Sequence, residues 1–345
     1  MHAPGSRVVA IAAAGLLAVI LAARRRRRGA LRERCVLITG AGSGIGRAVV
    51  LGLAQRAGGR GLALALVDVD GYSAQRVAEE AQQLAAGGEG PALRTFCYQA
   101  DVRDEERVAS LCQKIGDDVA PLSPSLAVLS AGVVPGRPFV PQSMHDAAEQ
   151  PRALKCAEIR RTVETNLLGC AWFAHALLPK MVDQQSGAVL FISSVMGFLG
   201  SSRLADYCSS KWGLLGFTES LRLELRARNL RGVGIAAVCP YLVDTGLFKG
   251  AFLSADRSTM FRRVLAWLRS LVFPVLRAED VAEAVVDALD SGDWDRLPPQ
   301  IVLPSYAAWL TPILRSLPYS LQYVILDWGG GCFGMDSFQH GSASP

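Results

Sequence analysis

Residues Thr39–Gly46, TGAGSGIG, join a short apolar run to a helical one, and this junction limits the folds open to the chain. Residues 35–39 (CVLIT) read as a buried strand. The residues after the turn, RAVVLGLAQRAG, place small and apolar side chains at helical spacing. A strand feeding a glycine-rich turn that opens a helix offers unpaired N–H groups and a partial positive charge, which suits an anionic pyrophosphate. Gly40 permits the tight turn, Gly44 lets a ligand approach the backbone, and Gly46 lets the helix pack close to the strand. Ser43 and Ile45 complete the phosphate-facing turn.

The second strand, LALALVD, ends at Asp68, twenty-two residues beyond Gly46. That offset is close to the ~20 residues expected for an acid that binds adenosine ribose hydroxyls. A carboxylate there repels a 2′-phosphate, so NAD is expected and NADP is disfavoured. Asp70 competes for the role, because VDVD leaves the strand end open by two residues. YQADV resembles a third strand ending at Asp101 and Val102, followed by a helix in RDEERVASL. Strands alternate with helices and no internal repeat is present, which predicts an α/β domain with a doubly wound parallel sheet over residues 29–304.

Tyr207 and Lys211 stand four residues apart in DYCSSKWGLL, with Ser194 thirteen residues before the tyrosine. On a helix this spacing stacks a phenol and an ammonium on one face. Moving a tyrosine from ~10 to about 7 takes roughly 4 kcal/mol of differential stabilisation. A desolvated ammonium with a second positive charge can supply that; an exposed lysine alone cannot. Y-x-x-x-K by itself is common on amphipathic helices, so the glycine turn is what gives the pair its context.

Together, the T-G-x-x-x-G-x-G turn, Asp68 and the Ser194–Tyr207–Lys211 set resemble the short-chain dehydrogenase/reductase superfamily over about residues 35–304. The resemblance implies a Rossmann-type fold in which Tyr207 is the general base, Ser194 bonds the substrate oxygen and Lys211 holds the nicotinamide ribose. It also implies that Asn166 anchors a proton-relay water, Asp101 and Val102 meet the adenine, and Thr245 bonds the carboxamide. Ala131 and Gly132 match the end of the family's N-N-A-G turn, where Leu129 and Ser130 replace its asparagines. Tyr241 stands where the family has a glycine after strand six, which places a bulky side chain beside the substrate entrance. The stretch from Gly132 to Asn166 is longer than usual and carries Pro135, Pro138, Pro141 and Pro151, so it reads as a surface insertion.

The net charge of +5 equals the contribution of Arg24–Arg28, so the body is essentially neutral and no nucleic-acid partner is expected. Eight cysteines form no C-x-x-C pair, which fits a reducing compartment and predicts neither a disulfide framework nor a metal site. His175, in AWFAHALLPKM, reads as a packed or surface residue.

Both ends point to a membrane. Residues 8–23 are uncharged and almost wholly apolar. As a helix they would extend about 24 Å, against a ~30 Å hydrocarbon core. A cleavable signal peptide is the competing reading, but Arg24–Arg28 should stay cytosolic. Residues 1–28 are therefore assigned as an anchor that spans or inserts shallowly. Residues 246–276 carry aromatics interrupted by Arg262, Arg263 and Arg269, suiting either a lipid surface with a lipophilic substrate or simple core closure. Residues 305–345 form an apolar tail.

The anchor, DYCSSK and the tail IVLP…LTPILRSLP…GMDSF resemble the membrane-associated branch holding the retinol dehydrogenases and 17β-hydroxysteroid dehydrogenases of endoplasmic reticulum and lipid droplets. That implies NAD-dependent oxidation of a lipophilic alcohol, with membrane lipids as partners, a cytosol-facing catalytic domain and a homodimer as commonly found in the family. Two alternatives stand beside it: an NADPH-dependent lipid ketone reductase of the 3-ketosphinganine type, and a membrane scaffold that keeps the fold without catalysis.

Overall fold

Seven strands are hydrogen-bonded in the order β3-β2-β1-β4-β5-β6-β9, and every pair is parallel. The strands are β1 (Cys35–Thr39), β2 (Ala63–Asp68), β3 (Arg94–Gln99), β4 (Pro124–Leu129), β5 (Gly187–Ile192), β6 (Val233–Pro240) and β9 (Gln300–Leu303). The computed structural model describes residues 29–57, 59–86, 92–140, 153–248 and 275–328. The expected anchor, most of the 246–276 segment and the end of the tail lie outside these residues.

The central strands are buried on both faces, so alternate side chains feed two separate cores. Val36, Ile38, Leu64, Leu66, Leu126 and Val128 point to one side. There they meet helices α1 (Gly44–Ala57), α2 (Gly71–Ala85) and α7 (Ala278–Asp290). Leu37, Ala65, Ala127, Leu129, Val189 and Phe191 point to the other. That layer is closed by α3 (Glu105–Asp118), α5 (Gly169–Asp183) and α6 (Ala205–Ala227), with the short α4 (Cys156–Val163) beside α6. The doubly wound sheet expected from the alternating pattern is present.

Strand order reverses between β1 and β4, and the crevice beyond their carboxyl ends is where such sheets bind ligands. Gly40, with φ +65°, turns the chain out of β1 at this point. A Cβ there would sit 2.9 Å from Cα of Ala131, just past β4. A Cβ on Gly46 would lie 2.0 Å from the Gly40 carbonyl oxygen. Gly46→Ala must therefore push α1 away from the turn, and we expect a loss of about 1–3 kcal/mol or more, measured by denaturant unfolding. An unchanged midpoint would show that the close contact is dispensable.

Two boundaries differ from the sequence expectation. β3 stops at Gln99, so Asp101 and Val102 lie in the loop beyond the strand. The loop is fixed by Asp101, which accepts hydrogen bonds from the Arg103 backbone N–H and guanidinium. The tail folds back onto the domain over residues 307–328. Helices α8 (Ala307–Ser316) and α9 (Tyr319–Trp328) place Ala307, Leu314, Leu317 and Ile325 against a cluster containing Val302, Leu199 and Leu215. No helix among the described residues is long and apolar enough to cross a membrane. A two-stranded parallel ribbon, β7 (Val243–Asp244) with β8 (Leu276–Arg277), joins the two ends of the 246–276 segment.

Candidate active site

The glycine turn and the Tyr207–Lys211 helix converge through the end of β4. The hydroxyl of Thr39 accepts the backbone N–H groups of Ser130 and Ala131, at 3.0 and 3.2 Å. These bonds fix the spacing between β1 and β4 with a serine at position 130. Gly132 follows, and a Cβ there would meet Asn166 Oδ1 at 3.4 Å and Lys211 Nζ at 3.9 Å. Two small residues thus lie between the phosphate-type turn and the catalytic candidates, Ala131 against Gly40 and Gly132 against Asn166 and Lys211.

Tyr207 and Lys211 are both buried on α6, with 4% relative exposure each. Lys211 Nζ lies 5.6 Å from the centroid of the Tyr207 ring and donates to the carbonyl of Ile192 at 2.8 Å. Ser194 caps a 3-10 turn (Val195–Gly197) and hydrogen-bonds the Tyr207 phenol. The Ser194 hydroxyl also reaches the Pro240 carbonyl at 3.4 Å, tying the ends of β5 and β6 together.

Burial pushes the Tyr207 phenol up from its ordinary value, and the Ser194 bond only partly opposes this. Burial likewise pulls Lys211 down. Desolvation disfavours charge on both groups, so the pair alone does not reach the low phenol value that the sequence argument required. A second positive charge beside the phenol would oppose this burial effect and favour the phenolate.

Asn166 sits in a single π-helical segment (Glu164–Leu168) between α4 and α5. Such bulges redirect side chains and occur often at functional sites. Its Oδ1 accepts from Val133 N at 2.8 Å, and its Nδ2 donates to Val133 O at 3.0 Å and Ser210 Oγ at 3.1 Å. Ser210 in turn donates to the Tyr207 carbonyl at 2.7 Å. Ser210 thus ties Asn166 to the Tyr207 backbone, a link absent from the sequence expectation. Its signal was a small polar residue directly before Lys211, on a helix whose buried face it shares.

Asp68 and Asp70 are separated by their roles in the fold. Asp70 is the N-cap of α2 and accepts from Tyr72 N, Ser73 N and the Ser73 hydroxyl. Asp68 closes β2 and accepts from Gly42 N at 2.8 Å, so its carboxylate borders the glycine turn. A Cβ on Gly42 would lie 3.1 Å from that carboxylate, which keeps this part of the turn bare backbone.

Ser43, Gly44 and Ile45 open α1, with Gly44 at φ +51°. Thr245 stands over them: a Cβ on Gly44 would meet its Cγ2 at 3.5 Å. Val102 is buried, and its carbonyl lies against Gly169 of α5, where an added Cβ would approach to 2.8 Å. Tyr241 packs with the C-terminal cluster containing Leu317 and Ile325, and its N–H bonds the Leu303 carbonyl. Its bulk is therefore partly absorbed by the tail helices. His175 is exposed on α5.

The short chain dehydrogenase family model matches residues 34–255. The chain belongs to the short chain dehydrogenase family. Within that family it is 33% identical to retinol dehydrogenase 10-B of Danio rerio over 242 residues, covering 66% of each protein. It is 36% identical to retinol dehydrogenase 10 of Rattus norvegicus, over 62% of this chain and 63% of that one. These matches span just under two thirds of the relatives' own length. Epidermal retinol dehydrogenase 2 of Mus musculus is 29% identical over 86% of this chain and 82% of its own. The fold is also that of levodione reductase, with a TM-score of 0.62 and 24% identity over 81% of this chain and 99% of that one. A short-chain dehydrogenase/reductase of Mycobacterium marinum gives 0.60 and 22%, over 80% and 96%. The expected superfamily and the retinol dehydrogenase branch are both borne out, and family and fold together imply a nicotinamide cofactor.

Proposed function

We propose that this protein interconverts a lipophilic alcohol and its carbonyl compound, using NAD in preference to NADP. This reading is supported by the buried Tyr207–Lys211 pair on one helical turn, with Ser194 bonded to the phenol and Ala131 and Gly132 between Lys211 and the glycine turn. The residues present fit a nicotinamide dinucleotide: a bare-backbone turn at a helix N-terminus, Asp68 beside it for ribose hydroxyls, and Thr245 over Gly44. The Asp101–Val102 loop and Ala131–Gly132 complete the cradle, and Lys211 would hold the nicotinamide ribose. When bound, the cofactor supplies the hydride acceptor and the second positive charge.

The chain's own groups do the rest. Ser194 donates to the substrate oxygen and holds it beside Tyr207. In the oxidising direction Tyr207 takes the hydroxyl proton; in the reducing direction it returns that proton to the carbonyl oxygen. Lys211 compensates the phenolate charge, and Asn166 links the site to solvent through a bound water. Because burial favours neutral Tyr207, oxidation should accelerate as pH rises towards the phenol's value.

The retinol dehydrogenase relatives make retinol one substrate to examine, with 17β-hydroxysteroids and related lipids beside it. The apolar stretch at residues 8–23 followed by Arg24–Arg28 supports attachment to the endoplasmic reticulum or to lipid droplets, with the domain in the cytosol. The test is cofactor reduction by the full chain in detergent, with NAD and NADP, against retinoids, steroids and fatty alcohols. We expect turnover of one lipophilic class with NAD favoured. Cofactor binding without turnover of any alcohol or ketone would instead identify a non-catalytic scaffold, and a preference for NADPH with ketones would identify a biosynthetic reductase.

A further inference from the structure

A cavity of about 220 Å³ lies between β9, α8 and the outer side of α6. Its floor is formed by Gly197, Val302, Ala307 and Thr311, all buried. The Thr311 hydroxyl is spent on the Ala307 carbonyl at 2.7 Å, so the floor offers little to a polar ligand. The rim is different in character. Trp212, Gln300, Ala308 and Arg315 are exposed there, and the Arg315 guanidinium stacks over the Trp212 ring at 4.7 Å. Among the described residues, no carboxylate stands within ion-pair distance of Arg315. An apolar interior with one cation at its mouth matches an amphiphile with an anionic head.

We propose that this cavity binds one acyl chain of an anionic amphiphile, the chain lying on Val302 and Ala307 and the carboxylate or phosphate on Arg315. Size supports a single chain. The volume falls below the ~300–1,000 Å³ usual for a drug-sized ligand, which suits an aliphatic chain better than a fused ring system. Access supports it too. The outer faces of α8 and α9 expose Trp309 (79%), Ile313 (59%) and Val324 (65%), an apolar surface beside the rim that a lipid layer would cover. The guanidinium is planar and carries several donors, which favours carboxylate or phosphate heads over neutral ones.

None of these residues belongs to the candidate active site, yet the two are contiguous. Gly197 lies in the turn capped by Ser194, Phe198 lines the cavity next to it, and Trp212 directly follows Lys211. An occupied cavity therefore braces the segment that carries Ser194. The proposal does not depend on which alcohol the protein oxidises.

The test is photo-crosslinking of the full chain in isolated membranes with a diazirine-bearing decanoic acid, followed by peptide mapping. Labelling is expected on the peptides around residues 197–212 and 300–315, and excess decanoate should suppress it. Arg315→Ala should reduce labelling severalfold, and Ala308→Phe, at the exposed rim, should abolish it. The matching diazirine alcohol should label wild type and Arg315→Ala equally. Label spread evenly along the chain, or insensitive to both substitutions, overturns the proposal. Thermal melting of each variant separates a blocked cavity from a misfolded chain. Suppression by vesicles of phosphatidylcholine with phosphatidylserine, but not by phosphatidylcholine alone, would identify the bilayer as the natural source. Suppression by free decanoate only would identify a soluble fatty acid.

Discussion

Tyr207→Phe is expected to lower kcat/KM for alcohol oxidation by about 10²–10⁴-fold, the range removed with a general base. That corresponds to roughly 3–5 kcal/mol of lost transition-state stabilisation. The substitution deletes one oxygen from a buried side chain and leaves the ring against Leu204, Cys208 and Val134, so packing should survive. Cofactor affinity should therefore remain close to that of the wild type, measured by fluorescence titration. The pH profile gives the second readout. Oxidation by the wild type should rise with pH, because burial holds the phenol neutral and base action needs the phenolate. The residual activity of Tyr207→Phe should lose that dependence. Full activity in the variant would exclude tyrosine base catalysis and return Tyr207 to a packing role.

Asp68→Arg should invert the cofactor preference. An NAD-bound ribose would give its hydroxyls to the carboxylate, and hydrogen bonds to a charged group contribute about 1.5–3 kcal/mol each. A 2′-phosphate at the same place would meet a repulsion of about 4 kcal/mol per pair of unit charges at 4 Å near a protein surface. Removing the first and reversing the second should move the NAD/NADP ratio of kcat/KM by about 10³-fold or more. Asp68→Ala should give a smaller shift in the same direction. Because Asp68 also holds Gly42 N and Asp70 N, both variants lose part of the turn's support. Melting curves establish how much of any lost affinity is structural. An unmoved ratio in folded protein would remove Asp68 from the ribose role.

Much of the site was legible because its parts are local. The T-G-x-x-x-G-x-G turn, the end of β2 at Asp68 and the Tyr207–Lys211 spacing each depend on one strand or helix and its immediate neighbour. The chain alone favours Asp68 over Asp70, and the fold adds that Asp70 caps α2 while Asp68 borders the glycine turn. The end of β3 was misplaced because the strand stops where β2 stops pairing with it, at Asp68–Gln99. Ser210 escaped notice because its partner, Asn166, is forty-four residues away.

The parallel α/β class, the glycine turn and the candidate set of Ser194, Tyr207 and Lys211 are legible in the chain alone, because strand and helix periodicities and a fixed i, i+4 spacing are properties of short segments. Packing between distant segments sets Gly132 against Lys211 and Asn166, drives Tyr207 and Lys211 towards their neutral forms by burial, and brings the tail's helices beside Trp212 to make a cavity. Those outcomes depend on contacts between segments far apart in the chain and on the exclusion of water around them. Neither is written in any local pattern.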